Sequence, residues 1–303
     1  MRYYDGVGAL IGNTPLVKLN NLGVPSGVGL FAKLELCNPG GSVKDRIGVS
    51  MLRDAEESGK LRRGGAIIEA TAGNTGLGIA IAALGKGYRV IFAVPTKFSV
   101  EKLSLMRALG AEIVSTPREG GMRGAREKAE ELIREIPGAI SLEQFENPAN
   151  PKAHYEGTGP EIYRDLDGKI DYFVAGAGSG GTYSGVVRCL KERIPGVKGV
   201  LADPVGSTIG GGEHADYDIE GIGNDFIPTT MDLSLVDEVI KVTDKDAFQT
   251  SVLIASAEGI FAGISSGAAL HAALTIAGRL ESGNIVVLLP DRGDRYFSKG
   301  LYQ

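Results

Sequence analysis

A lysine directly behind a glycine turn is the residue of this chain best suited to covalent chemistry. The stretch Asn38–Arg46 reads Asn-Pro-Gly-Gly-Ser-Val-Lys-Asp-Arg, and its first four residues are turn formers. Apolar residues recur every fourth position from Val43, which predicts a helix over about 43–58 with Lys44 in its first turn. The N-terminal end of a helix disfavours an ammonium group, so we expect a lowered pKa for the Lys44 side chain, as a Schiff-base or general-base lysine requires. A solvated surface lysine is the alternative, which the adjacent glycines disfavour because they let a ligand approach the backbone.

A second candidate is the loop Thr71–Gly76, which reads Thr-Ala-Gly-Asn-Thr-Gly. It joins a predicted strand to a predicted helix, and ligands of parallel sheets bind at such loops. Its small residues would expose successive backbone N–H groups at a helix N-terminus, where a carboxylate or a phosphate can bind. A glycine turn that allows close helix packing is the alternative interpretation.

A third loop, Gly176–Thr182, reads Gly-Ala-Gly-Ser-Gly-Gly-Thr between a predicted strand and a predicted helix. It has the G-x-G-x-x-G spacing of dinucleotide-binding loops, and Asp203 ends the next predicted strand about 20 residues later. A nicotinamide-dependent oxidoreductase is therefore one interpretation. The succession of small polar residues also suits an isolated phosphate dianion, so both ligands stay open at this point.

A fourth loop, Gly263–Gly267, matches the G-x-S-x-G elbow of serine hydrolases. Such an enzyme needs an acidic residue and then a histidine after the nucleophile. Only His271 follows Ser265, and no carboxylate lies between the two. Chain order therefore excludes a hydrolase of this type.

Strands and helices alternate along most of the chain, as expected of parallel βαβ units. The run 147–151, which has two prolines and two asparagines, interrupts this alternation and predicts a crossing between two α/β lobes. The glycine-rich segment 206–225 is too long for a plain connector and is predicted to be functional. Predicted strands cover 66–70, 89–94, 111–115, 172–175, 199–202, 238–242 and 284–289, and predicted helices cover 75–87, 100–109, 123–135, 158–165, 181–193, 247–257 and 266–280.

The composition restricts the class of protein. The 303 residues carry a net charge of -5, which gives no basis for binding nucleic acid or an anionic membrane. No apolar run is long enough to span a membrane and the N-terminus lacks a signal-peptide pattern, so we expect a cytoplasmic protein. The two cysteines and three histidines show no ligand spacing and predict neither a disulfide framework nor a metal site.

In chain order, the lysine, the two anion-binding loops and the serine loop resemble the cysteine synthase and cystathionine β-synthase family of pyridoxal-phosphate enzymes. The resemblance extends from Ile11–Leu16 to Asp294–Tyr296. It implies an α/β protein of fold type II, similar to the tryptophan synthase β subunit, with two lobes of parallel-type sheets flanked by helices and the cofactor in the cleft between them. The implied lobes are a smaller, mobile one over 40–147 and a larger one over 1–39 plus 148–303, in a chain that usually forms a homodimer.

The resemblance also implies a role for each site residue. Lys44 would form the Schiff base with pyridoxal 5'-phosphate and take the substrate's α-proton, and Ser265 would face the pyridine nitrogen. Asn74 would hydrogen-bond the phenolate oxygen of the cofactor. The cofactor phosphate would bind Gly178, Ser179, Gly180, Gly181 and Thr182. The substrate would contact Thr71, Ala72, Gly73, Asn74, Thr75, Gln144, Gly221 and Asp225.

The implied reaction is β-replacement on a serine- or cysteine-type amino acid through an aminoacrylate intermediate, in sulfur amino-acid metabolism. Two positions depart from ordinary cysteine synthases, since Ala72 stands where serine is usual and Asp225 where glycine is usual. Cystathionine β-synthases resemble this chain at Asp225 and at Ala153–Tyr155, so sulfide, homocysteine and water all stay open as the second substrate. A lyase that consumes cysteine and releases hydrogen sulfide is the alternative. A non-catalytic protein that keeps the fold and captures a partner's C-terminal peptide in the active-site cleft is a third interpretation, which the intact set Lys44, Asn74 and Ser265 disfavours.

Overall fold

The computed structural model describes residues 3–96 and 100–302, and its Cα packing forms two compact units. The first unit contains the residues up to Ile11 together with Lys44–Ala149. The second unit contains Gly12–Val43 together with the residues from Asn150 onward. These bounds differ from the predicted lobes mainly at the N-terminus, and the assignment of a role to each lobe stays a prediction.

Helices and strands alternate as predicted, which confirms the α/β class. Among the residues described, no helix is both long and apolar enough to cross a membrane. The elements are β1 (Leu16–Lys18), β2 (Val28–Leu34), α1 (Lys44–Glu57), β3 (Ala66–Ala70), α2 (Asn74–Ala83), β4 (Arg89–Pro95), α3 (Val100–Ala108), β5 (Glu112–Thr116), α4 (Gly121–Glu135), β6 (Ala139–Ile140), α5 (Ala149–Ala153), α6 (Gly159–Asp165), β7 (Tyr172–Gly176), α7 (Gly181–Arg193), β8 (Lys198–Pro204), β9 (Glu238–Val242), α8 (Asp244–Glu258), α9 (Ile264–Ala277) and β10 (Gly283–Leu289).

The first unit is built on a four-stranded parallel sheet in the order β5-β4-β3-β6. The inner strands β3 and β4 read as nearly continuous apolar runs, as expected of parallel strands covered on both faces. Ala125 and Ala129 of α4 pack against Ile68 and Ile91 of this sheet. The Thr71–Gly76 loop directly follows β3 and therefore lies at the carboxyl-terminal edge of this sheet.

The second unit is built on a six-stranded sheet in the order β1-β2-β10-β7-β8-β9, in which only β1 is antiparallel to its neighbour. Alternate residues of β10 belong to two separate cores. Ile285 and Val287 lie in a core that includes residues of α8 and α9, whereas Val286 and Leu288 lie in a core that includes residues of α7. Helices thus cover both faces of this sheet, and β7 leads directly into the glycine loop before α7.

Several helix bounds differ from the prediction by a few residues, and two of these differences concern the site. α2 ends at Ala83 rather than near residue 87, because Gly85 and Gly87 both adopt positive φ angles that end a helix. α9 begins at Ile264, two residues before the predicted start, with Gly263 as its N-cap. This earlier start places Ser265 in the first turn of α9.

Candidate active site

Lys44 is the first residue of α1, and α1 packs directly against α2. A Cβ atom built on Gly78 of α2 would lie 2.3 Å from the Lys44 carbonyl oxygen. One built on Gly48 of α1 would lie 2.3 Å from the Gly78 carbonyl oxygen. The backbones of the two helices therefore touch at these glycines, and the contact fixes the start of α1 against α2.

Asn74 is the first residue of α2, and Gly73 is its N-cap. The N-cap residue is a glycine and therefore contributes no side-chain cap to this helix end. A Cβ atom built on Gly73 would meet no described atom within 4 Å, while Thr71 and Thr75 on either side are buried. A helix N-terminus with hydroxyl groups around an open position can bind a carboxylate.

The structure brings Gln144 to this loop. The Thr75 hydroxyl donates a hydrogen bond of 2.6 Å to Oε1 of Gln144. Glu143, immediately before Gln144, has a φ angle of 55°, in the left-handed region that residues other than glycine rarely adopt. The residues predicted to hold a substrate carboxylate are thus adjacent within the first unit.

Glu69 is a residue of this region that sequence reasoning missed. It lies in β3, two positions before Thr71, and its Oε1 accepts a hydrogen bond of 3.0 Å from the Ser141 hydroxyl and one of 2.5 Å from the Leu142 N–H. Burial raises the pKa of its carboxyl above the ordinary value. The available signal was an acidic residue inside the otherwise apolar strand Ala-Ile-Ile-Glu-Ala.

The glycine loop between β7 and α7 has no room for a side chain at Gly180 or Gly181. Gly180 has a φ angle of 80°, and a Cβ atom there would lie 2.4 Å from Cβ of Met231. A Cβ atom on Gly181 would lie 2.1 Å from Oδ1 of Asn150. Glycine is therefore required at both positions.

Polar side chains hold this glycine loop from behind, and sequence reasoning missed them as well. Nδ2 of Asn150 donates a hydrogen bond of 2.9 Å to the Ser179 hydroxyl, and the Thr230 hydroxyl donates one to the Ser179 carbonyl. The fully buried His154 ring lies 3.1 Å from the Thr182 hydroxyl through Nε2. Ser179 and Thr182, both predicted to bind phosphate, are thus fixed by neighbours.

Ser265 lies in the first turn of α9 and is 2% exposed. Within 3–96 and 100–302, no side chain or backbone group forms a hydrogen bond with its hydroxyl. A Cβ atom built on Gly221 would lie 3.7 Å from the Ser265 Oγ, so these two predicted site residues are neighbours. A buried hydroxyl of this kind can donate to or accept from a ligand.

Asp225 is exposed at the end of a segment that pairs with the glycine loop. The Gly223 N–H donates a hydrogen bond of 2.8 Å to the Ala177 carbonyl, and Nδ2 of Asn224 donates one of 2.6 Å to the Gly178 carbonyl. The half-buried Tyr217 lies beside this segment, and burial, followed by the charges of Asp203 and Asp225, raises its pKa to about 12. Asp225 thus directly follows two residues that hydrogen-bond to the glycine loop Gly176–Thr182.

Asp203 does not have the role that a dinucleotide site would require. Its carboxylate is fully buried and forms an ion pair of 2.6 Å with Lys241. The same oxygen also accepts a hydrogen bond of 3.0 Å from the Gly210 N–H. Asp203 therefore holds the segment after β8 and is not available to a ribose hydroxyl.

The predicted site residues fall into two groups. The first unit contains Lys44, the loop Thr71–Thr75 and Gln144, and the second contains Gly178–Thr182, Gly221, Asp225 and Ser265. Within each unit the members lie on loops that follow strands or in the first turns of helices. Such positions are those at which α/β proteins bind ligands.

Known proteins match this chain over nearly its whole length. A model of the family described as pyridoxal-phosphate dependent enzymes matches residues 7–291. An O-acetylserine dependent cystathionine beta-synthase from Bacillus subtilis (strain 168) is 52% identical over 304 aligned positions, which cover 100% of this chain and 99% of that protein.

Two solved structures support the same relationship. The O-acetylserine dependent cystathionine beta-synthase from Helicobacter pylori has a TM-score of 0.94 and 42% identity and covers 100% of both chains. A hydrogen sulfide-producing enzyme from Fusobacterium nucleatum has a TM-score of 0.93 and 40% identity over 97% of this chain and 100% of that one. The chain therefore belongs to the family of pyridoxal-phosphate dependent enzymes.

Proposed function

We propose that this protein is a β-replacing enzyme of sulfur amino-acid metabolism. It would release the β-substituent of a serine- or cysteine-type amino acid, such as O-acetylserine, and add sulfide or a thiol to the same carbon. The observation that carries this proposal is the full-length similarity to the Bacillus subtilis O-acetylserine dependent cystathionine beta-synthase. The structure supports it because Lys44, Asn74 and Ser265 each lie in the first turn of a helix.

The glycine loop fits the phosphate of pyridoxal phosphate. A phosphate dianion binds where several N–H and O–H donors and a positive electrostatic potential are present. A carboxylate beside it would repel it. The loop supplies a backbone without side chains at Gly180 and Gly181, the hydroxyls of Ser179 and Thr182, and the positive end of the α7 dipole. Family membership favours this single phosphate over a dinucleotide.

Ser265 fits the pyridine nitrogen of the same cofactor. Its hydroxyl is buried and has no hydrogen-bond partner in the described part of the chain. When bound, pyridoxal phosphate would withdraw electrons from the α-carbon of the substrate. A serine hydroxyl is too weak an acid to keep the pyridine nitrogen protonated, so Ser265 would limit this withdrawal and favour loss of a β-substituent over transamination.

Lys44 and the carboxylate loop would handle the amino acid itself. Nζ of Lys44 would hold the cofactor and then accept the proton from the substrate's Cα. The substrate carboxylate would bind the first turn of α2, where Thr71 and Thr75 contribute hydroxyls and Gln144 contributes its amide. Asn74 would hydrogen-bond the phenolate oxygen of the cofactor. Closure of this loop over the carboxylate would exclude water.

Release of hydrogen sulfide from cysteine is a second candidate function. The exposed carboxylate of Asp225 favours it, because a charged group at this position can orient the amino group of homocysteine or activate a water molecule. The structural similarity to a hydrogen sulfide-producing enzyme from Fusobacterium nucleatum favours it too. Both candidate functions use the same site and differ in what leaves and what adds at the β-carbon.

Small amino acids are the substrates in both cases, and we also propose that the protein acts as a homodimer. A partner protein whose C-terminal peptide carries a free carboxylate would compete for the α2 N-terminus in the same way as a substrate carboxylate. Light scattering of the purified protein would test the dimer, and displacement of a labelled peptide by O-acetylserine would test the competition.

A product assay tests the proposed function directly. The purified protein, loaded with pyridoxal phosphate, would be given serine, O-acetylserine, O-phosphoserine or cysteine, each with sulfide, homocysteine or water. We expect cystathionine or cysteine from at least one pair, and no product from any pair with Lys44→Ala. A protein that stays colourless with pyridoxal phosphate and binds NAD, or one that yields no β-replacement or β-elimination product, would overturn the proposal.

A further inference from the structure

Glu69 is a buried acid that the proposed chemistry does not use. It lies in β3 beside Ile67 and Ile68, both fully buried, and is itself only 9% exposed. Burying a carboxyl group costs free energy unless hydrogen bonds compensate for the lost water. Desolvation is the main cause that raises its pKa, so a negative charge on Glu69 is unfavourable at this position.

Its hydrogen bonds all reach one short segment. Oε1 accepts from the Ser141 hydroxyl at 3.0 Å, from the Leu142 N–H at 2.5 Å and from the Glu143 N–H at 3.3 Å. The next residue is Gln144, which would bind the substrate carboxylate. Glu69 therefore attaches the segment just before Gln144 to the end of β3.

The same strand leads into the other half of the carboxylate site. The loop with Thr71 and Thr75 begins immediately after β3, and the Thr75 hydroxyl reaches Gln144 at 2.6 Å. Glu143 has a φ angle of 55°, a conformation that costs free energy and that its N–H bond to Glu69 helps to maintain. The Thr71–Thr75 loop and the segment around Gln144, which are distant in sequence, are thus both connected to β3.

We propose that Glu69 is a positioning residue that holds Gln144 against the Thr71–Thr75 loop and so shapes the site for the substrate's α-carboxylate. The inference rests on the proposed function, because that function gives Gln144 its ligand. Oε1 accepts all three bonds, and a proton on Oε2 would leave Oε1 in place as an acceptor. The positioning role therefore needs an acceptor oxygen and not a negative charge.

Two substitutions separate these requirements. Glu69→Gln keeps an acceptor oxygen in the same place, whereas Glu69→Met fills a similar volume without one. Glycine is the probe ligand, since it has the carboxylate and amino group of a substrate but no β-carbon to eliminate from. Its dissociation constant would be measured from the change in cofactor absorbance of each holoenzyme, with Gln144→Ala as a reference.

We expect Glu69→Met to bind glycine about tenfold more weakly than the wild type, as for the loss of one well-made hydrogen bond, and Glu69→Gln to stay within about twofold. Cofactor absorbance per protein should be unchanged in both, because the hydrogen bonds of Glu69 reach only Ser141, Leu142 and Glu143, none of which would contact the cofactor. Hydrogen exchange without substrate should accelerate at the amides of Leu142 and Glu143 in Glu69→Met only. Wild-type glycine binding by Glu69→Met, or equally weak binding by both variants, would overturn the inference.

A further variant covers the case in which Glu69→Met does not fold. Ser141→Ala removes one of the three donors, and we expect about twofold to threefold weaker glycine binding with faster exchange at Leu142. No change in either quantity would overturn the inference. If instead Gln144→Ala binds glycine as tightly as the wild type, the proposed role of Gln144 fails, while the exchange data still decide whether Glu69 holds the segment.

Discussion

The Thr75 hydroxyl donates a hydrogen bond of 2.6 Å to the side-chain oxygen of Gln144. This bond joins the first turn of α2 to a segment that lies well downstream in the chain. The bond uses the amide oxygen of Gln144, whose side chain also carries an NH2 donor group. A substrate carboxylate would use such a donor together with the helix N–H groups.

Thr75→Val should therefore weaken substrate binding. Losing the hydroxyl removes one contact to the carboxylate and releases Gln144, so we expect KM for the amino-acid donor to rise about tenfold, with a smaller change in kcat. Steady-state kinetics provide the measurement. Thr116→Val is the matched control, because Thr116 is also buried in the first unit but its hydroxyl has no described partner. An equal rise in KM for both variants would refute the role of the hydroxyl.

Lys44→Ala should abolish attachment of the cofactor. We expect activity to fall by about 10³-fold, the scale of a lost general base, and borohydride reduction to leave no cofactor on the protein. In the wild type, mass spectrometry of the reduced protein should locate the cofactor on Lys44. Lys60→Ala, at an exposed lysine, should match the wild type in both measurements. Attachment at any other lysine would contradict the assignment.

Gly78→Ala should displace the start of α1. The added Cβ atom would lie 2.3 Å from the Lys44 carbonyl oxygen, so α1 and α2 must separate. We expect a loss of about 1–3 kcal/mol in the free energy of unfolding and a fall in kcat. Gly124→Ala in α4 is the control, because its Cβ atom would meet nothing within 4 Å and should stabilise the helix by about 0.5–1 kcal/mol. Denaturant titration measures both, and equal effects would rule out the steric explanation.

Asp225→Gly should change the acceptor preference and leave the donor half-reaction intact. The side chain is exposed, so we expect little change in stability or in the rate at which a donor alters the cofactor absorbance. Activity with homocysteine should fall relative to activity with sulfide. Asp225→Asn separates the charge from the size of the side chain. Unchanged acceptor ratios in both variants would assign Asp225 to the conformation of the loop alone.

Glu69 should make the protein's stability depend on pH in an unusual direction. Burial raises its pKa above the ordinary 4.5, so the folded state holds this proton more tightly than the unfolded state. Its stabilising contribution is present below that value and is lost as pH rises through the raised pKa. As pH rises from about 4.5, the free energy of unfolding of Glu69→Gln should therefore increase relative to that of the wild type. Glu112→Gln should instead lose stability relative to the wild type as pH rises toward 4.5, because the hydrogen bond from Arg89 lowers the pKa of Glu112. The same trend in both variants would contradict the assignment.

Local sequence patterns predicted the helices and strands well where an apolar run ends at a glycine or at a polar turn. The predicted strands 66–70 and 238–242 and the predicted helix 181–193 coincide with β3, β9 and α7. The start of α9 was wrong by two residues, because Gly263 and Gly267 both favour a loop in sequence. Only the packing of α9 onto the sheet decides which of these two glycines precedes the helix.

The contacts that hold the candidate site could not be predicted in the same way. The bond between Glu69 and Leu142 joins residues that no local period relates, and a single sequence carries no record of such pairs. His154 lacks ligand spacing and stood out only within the Ala153–Tyr155 resemblance, which gave no contact, yet its ring lies 3.1 Å from the Thr182 hydroxyl. Sequence reasoning proposed residues that would touch a ligand, because their chemistry is specific, and it did not find the residues that hold them in place.

The position of β10 has a consequence for how the second unit forms during synthesis. β10 is the last strand in the chain, but it lies between β2 and β7 in the sheet. Until residue 289 has left the ribosome, β2 and β7 each expose an unpaired edge, and the two cores that share β10 lack their common strand. The sheet of the second unit can therefore be completed only after β10, its last-synthesised strand, pairs with strands that are distant in sequence. We expect this step to be slow and the incomplete unit to need protection from aggregation.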